Sequence, residues 1–220
     1  QHLETIKIIL NLINFKKNKA EEKYFSIIKS KPFSFDPINI EEGIFKIGSK
    51  NNRIFAYDNE RPENTIKLES FQIDKKVIQV NEWVGFVEAG GYKNKKLWSK
   101  SGWRWKCKNN ILFPYGWILH KKYLSIRTPY GYKIAREENP VSNISFYELE
   151  AFAKWVDLNI PHELQWEVAY SKIINKFKVW EWCINKFFPY KGFKPYPYKE
   201  YSVPWFNNDY KTLRGSSILS

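Results

Sequence analysis

Pro140-Val141-Ser142-Asn143-Ile144-Ser145-Phe146-Tyr147-Glu148-Leu149-Glu150-Ala151-Phe152-Ala153-Lys154-Trp155, followed by Ile160-Pro161-His162-Glu163-Leu164-Gln165-Trp166-Glu167, is the stretch on which the fold turns. Ser145 and Glu148 stand three apart. At that spacing a hydroxyl and a carboxylate satisfy each other's orphan backbone N–H groups, so a helix is expected to start there. Leu149, Phe152, Ala153 and Val156 then share one of its faces. Pro161 and Glu163 predict a second helix, with a pre-set φ at its start, an acid in its first turn, and Leu164, Trp166, Val168 and Ala169 as its apolar residues.

Outward from this stretch, the chain reads as follows. Leu3, Ile6, Leu10 and Ile13 form an apolar helical stripe over residues 1–15. Pro32 and Pro37 mark residues 23–42 as extended. Gly43–Gly48, Arg53–Tyr57 and Thr65–Phe71 alternate like strands. Val80–Ala89 reads as a short helix capped by Asn81 and stopped by Gly90-Gly91. Residues 92–139 have no clean period and are expected to form short strands and loops, and residues 184–212 read as an aromatic loop.

Composition narrows the classes. Aromatic residues make up 18% of the 220 residues and Trp occurs ten times, which a disordered chain would not carry. No run is long enough to cross a bilayer, so no membrane partner is expected. The first residues lack a leader pattern and are already helical in character, as in a fragment that starts inside an element. Two cysteines, Cys107 and Cys183, make no disulfide framework; both are expected as buried free thiols in a reducing, cytoplasmic setting. The net charge is +13, but lysines recur along the chain without a recognised nucleic-acid motif, and no nucleic-acid partner is expected.

The central stretch resembles the formylglycine-generating-enzyme-like (sulfatase-modifying-factor) domain, whose usual text is close to "PV-x-x-V-S-W…R-L-P-T-E-A-E-W-E". Val179-Trp180-Glu181-Trp182-Cys183 resembles its "G-N-V-W-E-W", and Leu213-Arg214-Gly215-Ser216-Ser217 its "L-R-G-G-S". Further blocks point to one branch: Phe55-Ala56-Tyr57-Asp58-Asn59-Glu60-Arg61-Pro62, Phe86-Val87-Glu88-Ala89-Gly90-Gly91-Tyr92, Tyr190-Lys191-Gly192-Phe193-Lys194-Pro195, and Tyr201-Ser202 before Pro204-Trp205-Phe206. They are similar to segments of the ergothioneine-biosynthesis sulfoxide synthases. Departures are Asn159-Ile160 in place of "R-L", His162 in place of Thr, and Ser216 in place of the second Gly.

That resemblance implies an α+β, C-type-lectin-like fold with short strands, few helices and much irregular structure. It implies three parts: residues 1–20 as the last helix of a DinB-like bundle, 21–42 as a linker, and 43–220 as the formylglycine-generating-enzyme-like domain. It implies an Fe(II) enzyme that joins a thiol, γ-glutamylcysteine or cysteine, to the imidazole of N-trimethylhistidine with O2, giving a sulfoxide. His2 corresponds to the last of three iron-binding histidines, Gln1 to a residue touching the histidine-derived substrate, and Tyr190 to an active-site phenol. Glu4 stands beside the ligand set, not in it. Imidazoles on one helical face suit iron and oxygen chemistry, and they leave positions open for a thiolate. His120 is expected as a structural or exposed residue, and His162 as a helix cap or a surface residue. The other implied ligands precede residue 1, so the chain alone is expected to be inactive. Competing readings are a non-catalytic lectin-like binding module and a formylglycine-generating oxidase with a paired-cysteine copper site.

Overall fold

The computed structural model describes residues 3, 5–7, 9, 28–50, 56–120, 123–128, 130–173, 179–207 and 209–217. In chain order its elements are β1 (Pro37–Ile40), β2 (Gly43–Ile47), β3 (Asn64–Leu68), β4 (Phe71–Asp74), α1 (Val80–Glu88), α2 (Lys100–Asn109), β5 (Trp117–Leu119), β6 (Leu124–Thr128), β7 (Gly131–Ile134), α3 (Phe146–Trp155), α4 (Glu163–Ala169), β8 (Trp180–Lys186) and β9 (Lys211–Gly215). The described residues 3, 5–7 and 9 are also helical. Short antiparallel strands and few helices make the fold α+β, as expected. Two compact units form. The first comprises residues 1–34, 77–159 and 216–220, and the second residues 35–76 and 160–215.

The first unit is built on rings. Trp83 on α1 stacks on Phe152 of α3 with centroids 4.8 Å apart and planes 3° from parallel. Phe86 meets Trp83, Phe152 and Trp155, each with centroids 5.5 Å apart. Such pairs add about 1 kcal/mol each beyond the area they bury. The capping box at α3 forms as the spacing predicts: the Ser145 hydroxyl accepts from the Glu148 N–H, and Glu148 Oε2 accepts from the Ser145 N–H at 2.7 Å. Glu148 also reaches across to the core, where the Tyr92 hydroxyl donates to Oε1 at 2.6 Å and accepts in turn from the Trp83 indole. One carboxylate therefore caps a helix and satisfies a buried phenol. Burial pushes its pKa up, and the bonds from Tyr92 and Ser145 oppose that rise. An antiparallel sheet in the order β5-β6-β7 completes the unit.

Several expectations differ from the structure. The α1 cap is Gln79, whose N–H is closed by Glu82; Asn81 lies two residues further on and accepts from the Glu82 N–H. Residues 100–109, expected as loop, form α2: the Ser99 hydroxyl caps it by accepting from the Gly102 N–H, and Asn110 ends it in a left-handed conformation at φ 50°. Cys107 is exposed on that helix, not buried, because its aromatic neighbours take the inward face; Cys183 is buried as expected. Pro37–Ile40, inside the stretch read as linker, is a strand paired with β4. The strand expected at Arg53–Tyr57 lies mostly outside the described residues, and residues 58–60 form a 3₁₀ turn.

The second unit holds three antiparallel strand pairs, β1 with β4, β2 with β3 and β8 with β9, together with α4. The His162 side chain caps α4 by accepting from the Leu164 N–H at 3.2 Å, and Gln165 closes the capping box.

Replacing Glu148 with Ala removes the carboxylate half of the α3 capping box and leaves the Tyr92 hydroxyl without its acceptor. The expected cost is about 3 kcal/mol, read as a lower urea midpoint with an unchanged m-value. A midpoint within error of wild type would contradict this account.

Candidate functional site

Glu163 and Glu167 lie four apart on α4, so their carboxylates share one helix face and repel. The cation that resolves this comes from β9. Arg214 Nη2 lies 2.8 Å from Glu163 Oε2 and 3.1 Å from Glu167 Oε2, and Nη1 lies 3.7 Å from Glu60 Oε1. Arg214 is 8% exposed. Burial works against its charge, but Tyr190, Glu163 and Glu167 together hold the guanidinium more firmly protonated than usual. Glu163 is pushed up by burial, against the pull of Arg214.

Tyr190 joins this cluster. Its hydroxyl donates to Glu167 Oε2 at 2.7 Å and accepts from Arg214 Nη2. Burial raises its pKa first; Arg214 opposes that and the Glu167 bond adds to it, so the phenol stays protonated. Glu167 Oε1 accepts from the Gly48 N–H. Gly48 has φ +76°, and a Cβ there would lie 2.6 Å from the Pro62 carbonyl oxygen and 3.2 Å from the Tyr190 ring. Glycine is therefore needed for both the turn and the close approach.

The other side of Glu163 is tied to β8. Asn185 Nδ2 donates to Glu163 Oε1 at 2.8 Å and to the Thr212 hydroxyl at 3.0 Å, while Asn185 Oδ1 accepts from the Glu163 N–H at 2.9 Å. A cleft of about 370 Å³ opens here, lined by His162, Glu163, Asn185, Lys186, Phe188 and Tyr190 among others. His162 Nδ1 is occupied as the helix cap, and burial lowers the ring's pKa, so it presents a neutral imidazole.

Two further groups in this unit are shifted upward by burial. Burial raises the Glu181 carboxyl from 4.5 to about 7, with Trp166 moderating the rise. Burial pushes the Cys183 thiol up to about 12. A thiol so placed is not a nucleophile at neutral pH.

Of the residues expected at a site, Tyr190 is thus described and bonded, whereas Gln1 and His2 lie outside the described residues. His120 stacks on Tyr123 with centroids 4.3 Å apart. Among the described residues no group of three His, Cys, Asp or Glu side chains could hold a metal ion. Arg214, Glu163 and Glu167 were read from sequence as fold markers alone. The signal that could have singled them out is the i, i+4 pair of acids, which demands a cation from elsewhere.

A model of the sulfatase-modifying factor enzyme 1-like domain matches residues 28–175. The hercynine oxygenase of Mycolicibacterium thermoresistibile is 26% identical over 214 residues, covering 74% of this chain and 47% of that protein. That of Mycobacterium tuberculosis is 27% identical over 209 residues, covering 74% and 48%. The formylglycine-generating enzyme of Thermomonospora curvata is 25% identical over 145 residues, covering 60% and 47%. The chain spans about half the length of the curated relatives it matches.

Two outcomes are expected. Arg214→Met strands the buried Glu163 carboxylate beside the partly buried Glu167 and costs about 3 kcal/mol at neutral pH. The loss is smaller at pH 5, where a carboxyl can take up a proton, and urea unfolding at both values checks it. For Glu181, the folded carboxyl holds its proton more tightly than the unfolded one, whose ordinary value is 4.5. Its stabilisation is present below pH 4.5 and is lost as pH rises through about 7. At about 1.4 kcal/mol per pKa unit, the loss is on the order of 3 kcal/mol. Glu181→Gln is expected to flatten that slope and to unfold at higher denaturant than wild type at pH 8.

Proposed function

The chain belongs to the sulfatase-modifying factor enzyme 1-like domain family, and from that premise we propose that it is part of an O2-dependent sulfoxide synthase. The reaction proposed joins the sulfur of γ-glutamylcysteine or cysteine to the imidazole of N-trimethylhistidine, as in ergothioneine biosynthesis. The observation that carries this reading is extent: the likeness to hercynine oxygenases covers 74% of the chain, against 60% for the formylglycine-generating enzyme. The oxidase reading also needs a reactive cysteine pair, and Cys183 is buried with its thiol held protonated.

Fe(II), when bound, would supply O2 activation and a coordination position for the thiolate. The described residues offer no ligand set for it; His2, at the end of a DinB-like helix, is the ligand proposed from this chain. Gln1 is proposed to touch the histidine-derived substrate. Tyr190 is the proposed active-site phenol. Glu167 and Arg214 fix its orientation, and its proton lies on the bond to Glu167. Tyr196, Tyr198, Tyr201 and Trp205 are exposed rings within one segment, a surface suited to a quaternary ammonium. Among the described residues no helix is long and apolar enough to cross a membrane, and free thiols fit a reducing, cytoplasmic setting.

The test is product analysis. Full-length protein carrying this chain is loaded with Fe(II) under argon, given N-trimethylhistidine and either thiol, then exposed to O2. Mass spectrometry is expected to find the sulfoxide, with Tyr190→Phe slowing its formation about 10²-fold. No coupled product with either thiol would overturn the proposal.

A further inference from the structure

The chain's charge is not evenly spread. Residues 89–136 contain twelve Lys and Arg and no Asp or Glu, leaving 24 cations and 23 acids elsewhere, a net of +1. Nearly the whole excess of +13 therefore falls in one segment of the first unit, and the expectation of scattered lysines gives way to a local field.

α2 organises part of that segment. Lys100, Arg104 and Lys108 are exposed and stand at i, i+4 and i+8, a single stripe rising about 6 Å per step. Lys95 and Lys96 are exposed in the 3₁₀ turn just before it. The Lys154 ammonium of α3 donates to the Lys96 carbonyl at 2.6 Å and adds a further cation. The opposite face of α2 is spent on packing: Trp105 lies 5.6 Å from Tyr147, Trp103 lies 6.4 Å from Trp98, and Lys106 folds over Trp103. Among the described residues Lys95, Lys96, Lys100, Arg104 and Lys108 make no ion pair. Glu150, which accepts from the Ser99 hydroxyl at 3.1 Å, is a carboxylate beside the start of the helix.

We propose that this outer face of α2, with the turn before it, binds nucleic-acid phosphates without regard to sequence. An evenly stepped row of cations matches a polyphosphate backbone, whose affinity comes from counterion release and not from base contacts. A protein partner is disfavoured because the face shows no exposed large apolar anchor: among the described residues none of the exposed large hydrophobics lies between Ile44 and Tyr123. A membrane surface is disfavoured because the apolar side of α2 faces the core and has nothing to insert. The inference is independent of the proposed reaction.

Fluorescence anisotropy with a labelled duplex DNA of about 20 base pairs tests it. Binding is expected to weaken with salt at a log–log slope of about −3 or steeper, at about 0.9 per phosphate neutralised. K100E/R104E/K108E is expected to lower affinity at least tenfold at about 50 mM salt, losing most of that slope. K67E/K76E/K199E, an equal charge change in the second unit, is expected to change it by less than threefold. Should the first variant fail to fold by circular dichroism, K100Q/K108Q takes its place, with a smaller loss expected. Equal weakening by both charge reversals, no binding by wild type, or tighter binding to phosphatidylserine vesicles or polyglutamate than to DNA would each overturn the proposal.

Discussion

One guanidinium settles the interior of the second unit. Two glutamates one turn apart on α4 are unstable neighbours in a partly desolvated place, and neither Asn185 nor the Gly48 N–H can cancel a formal charge. Arg214 does so with a planar fork that reaches both carboxylates and a phenol. Because the arginine comes from β9, the acids from α4 and the phenol from the segment after β8, the pairing ties three distant parts of the chain. Burying such a cluster is expensive, and an apolar substitute of equal volume would often be as stable. What the ionic version adds is geometry: each oxygen has an assigned donor, so the Tyr190 ring and the α4 N-terminus are fixed relative to the cleft.

The legible parts of the fold are those where the signal is local. Ser145 and Glu148 define a capping box by spacing alone, and α3 begins where they say. His162 was readable as a cap because a helix start was already marked by Pro161 and Glu163. α2 was hidden because its periodicity is carried by Trp103 and Trp105 between lysines, and the apolar face of a basic helix is too narrow to show as a stripe. Asn81 was a plausible cap, but Gln79 and Glu82 close the box two residues earlier; two candidates so close differ only in where the chain turns. The exposure of Cys107 is hidden for the same reason as α2, since burial depends on which side the rings take.

The site was less legible than the fold because its energetics are long-range. Arg214, Glu163 and Tyr190 are separated by tens of residues, and nothing in any one block says that the three meet. The blocks themselves were visible as family text, yet the text does not distinguish a residue that holds the fold from one that meets a substrate. Charge shows the opposite limit: the acid-free run from 89 to 136 is plain in the sequence, but its meaning needs the exposed stripe on α2, which only the helix supplies.

Burial leaves the second unit with few mobile protons. The Cys183 thiol and the Tyr190 phenol are held protonated and His162 neutral, while Arg214 keeps its charge. In the proposed chemistry this matters most for Tyr190. A phenol that simply released its proton would add a negative charge in a buried place beside two glutamates; burial first, and those acids after it, raise its pKa. If the proton instead moves along the existing bond to Glu167, the acid becomes neutral as the phenol loses its proton, and total charge around Arg214 is unchanged. The pair therefore suits a proton shifting along that bond better than release of a proton to water. Arg214, bonded to both partners, is the group that keeps them in line while the charge is redistributed.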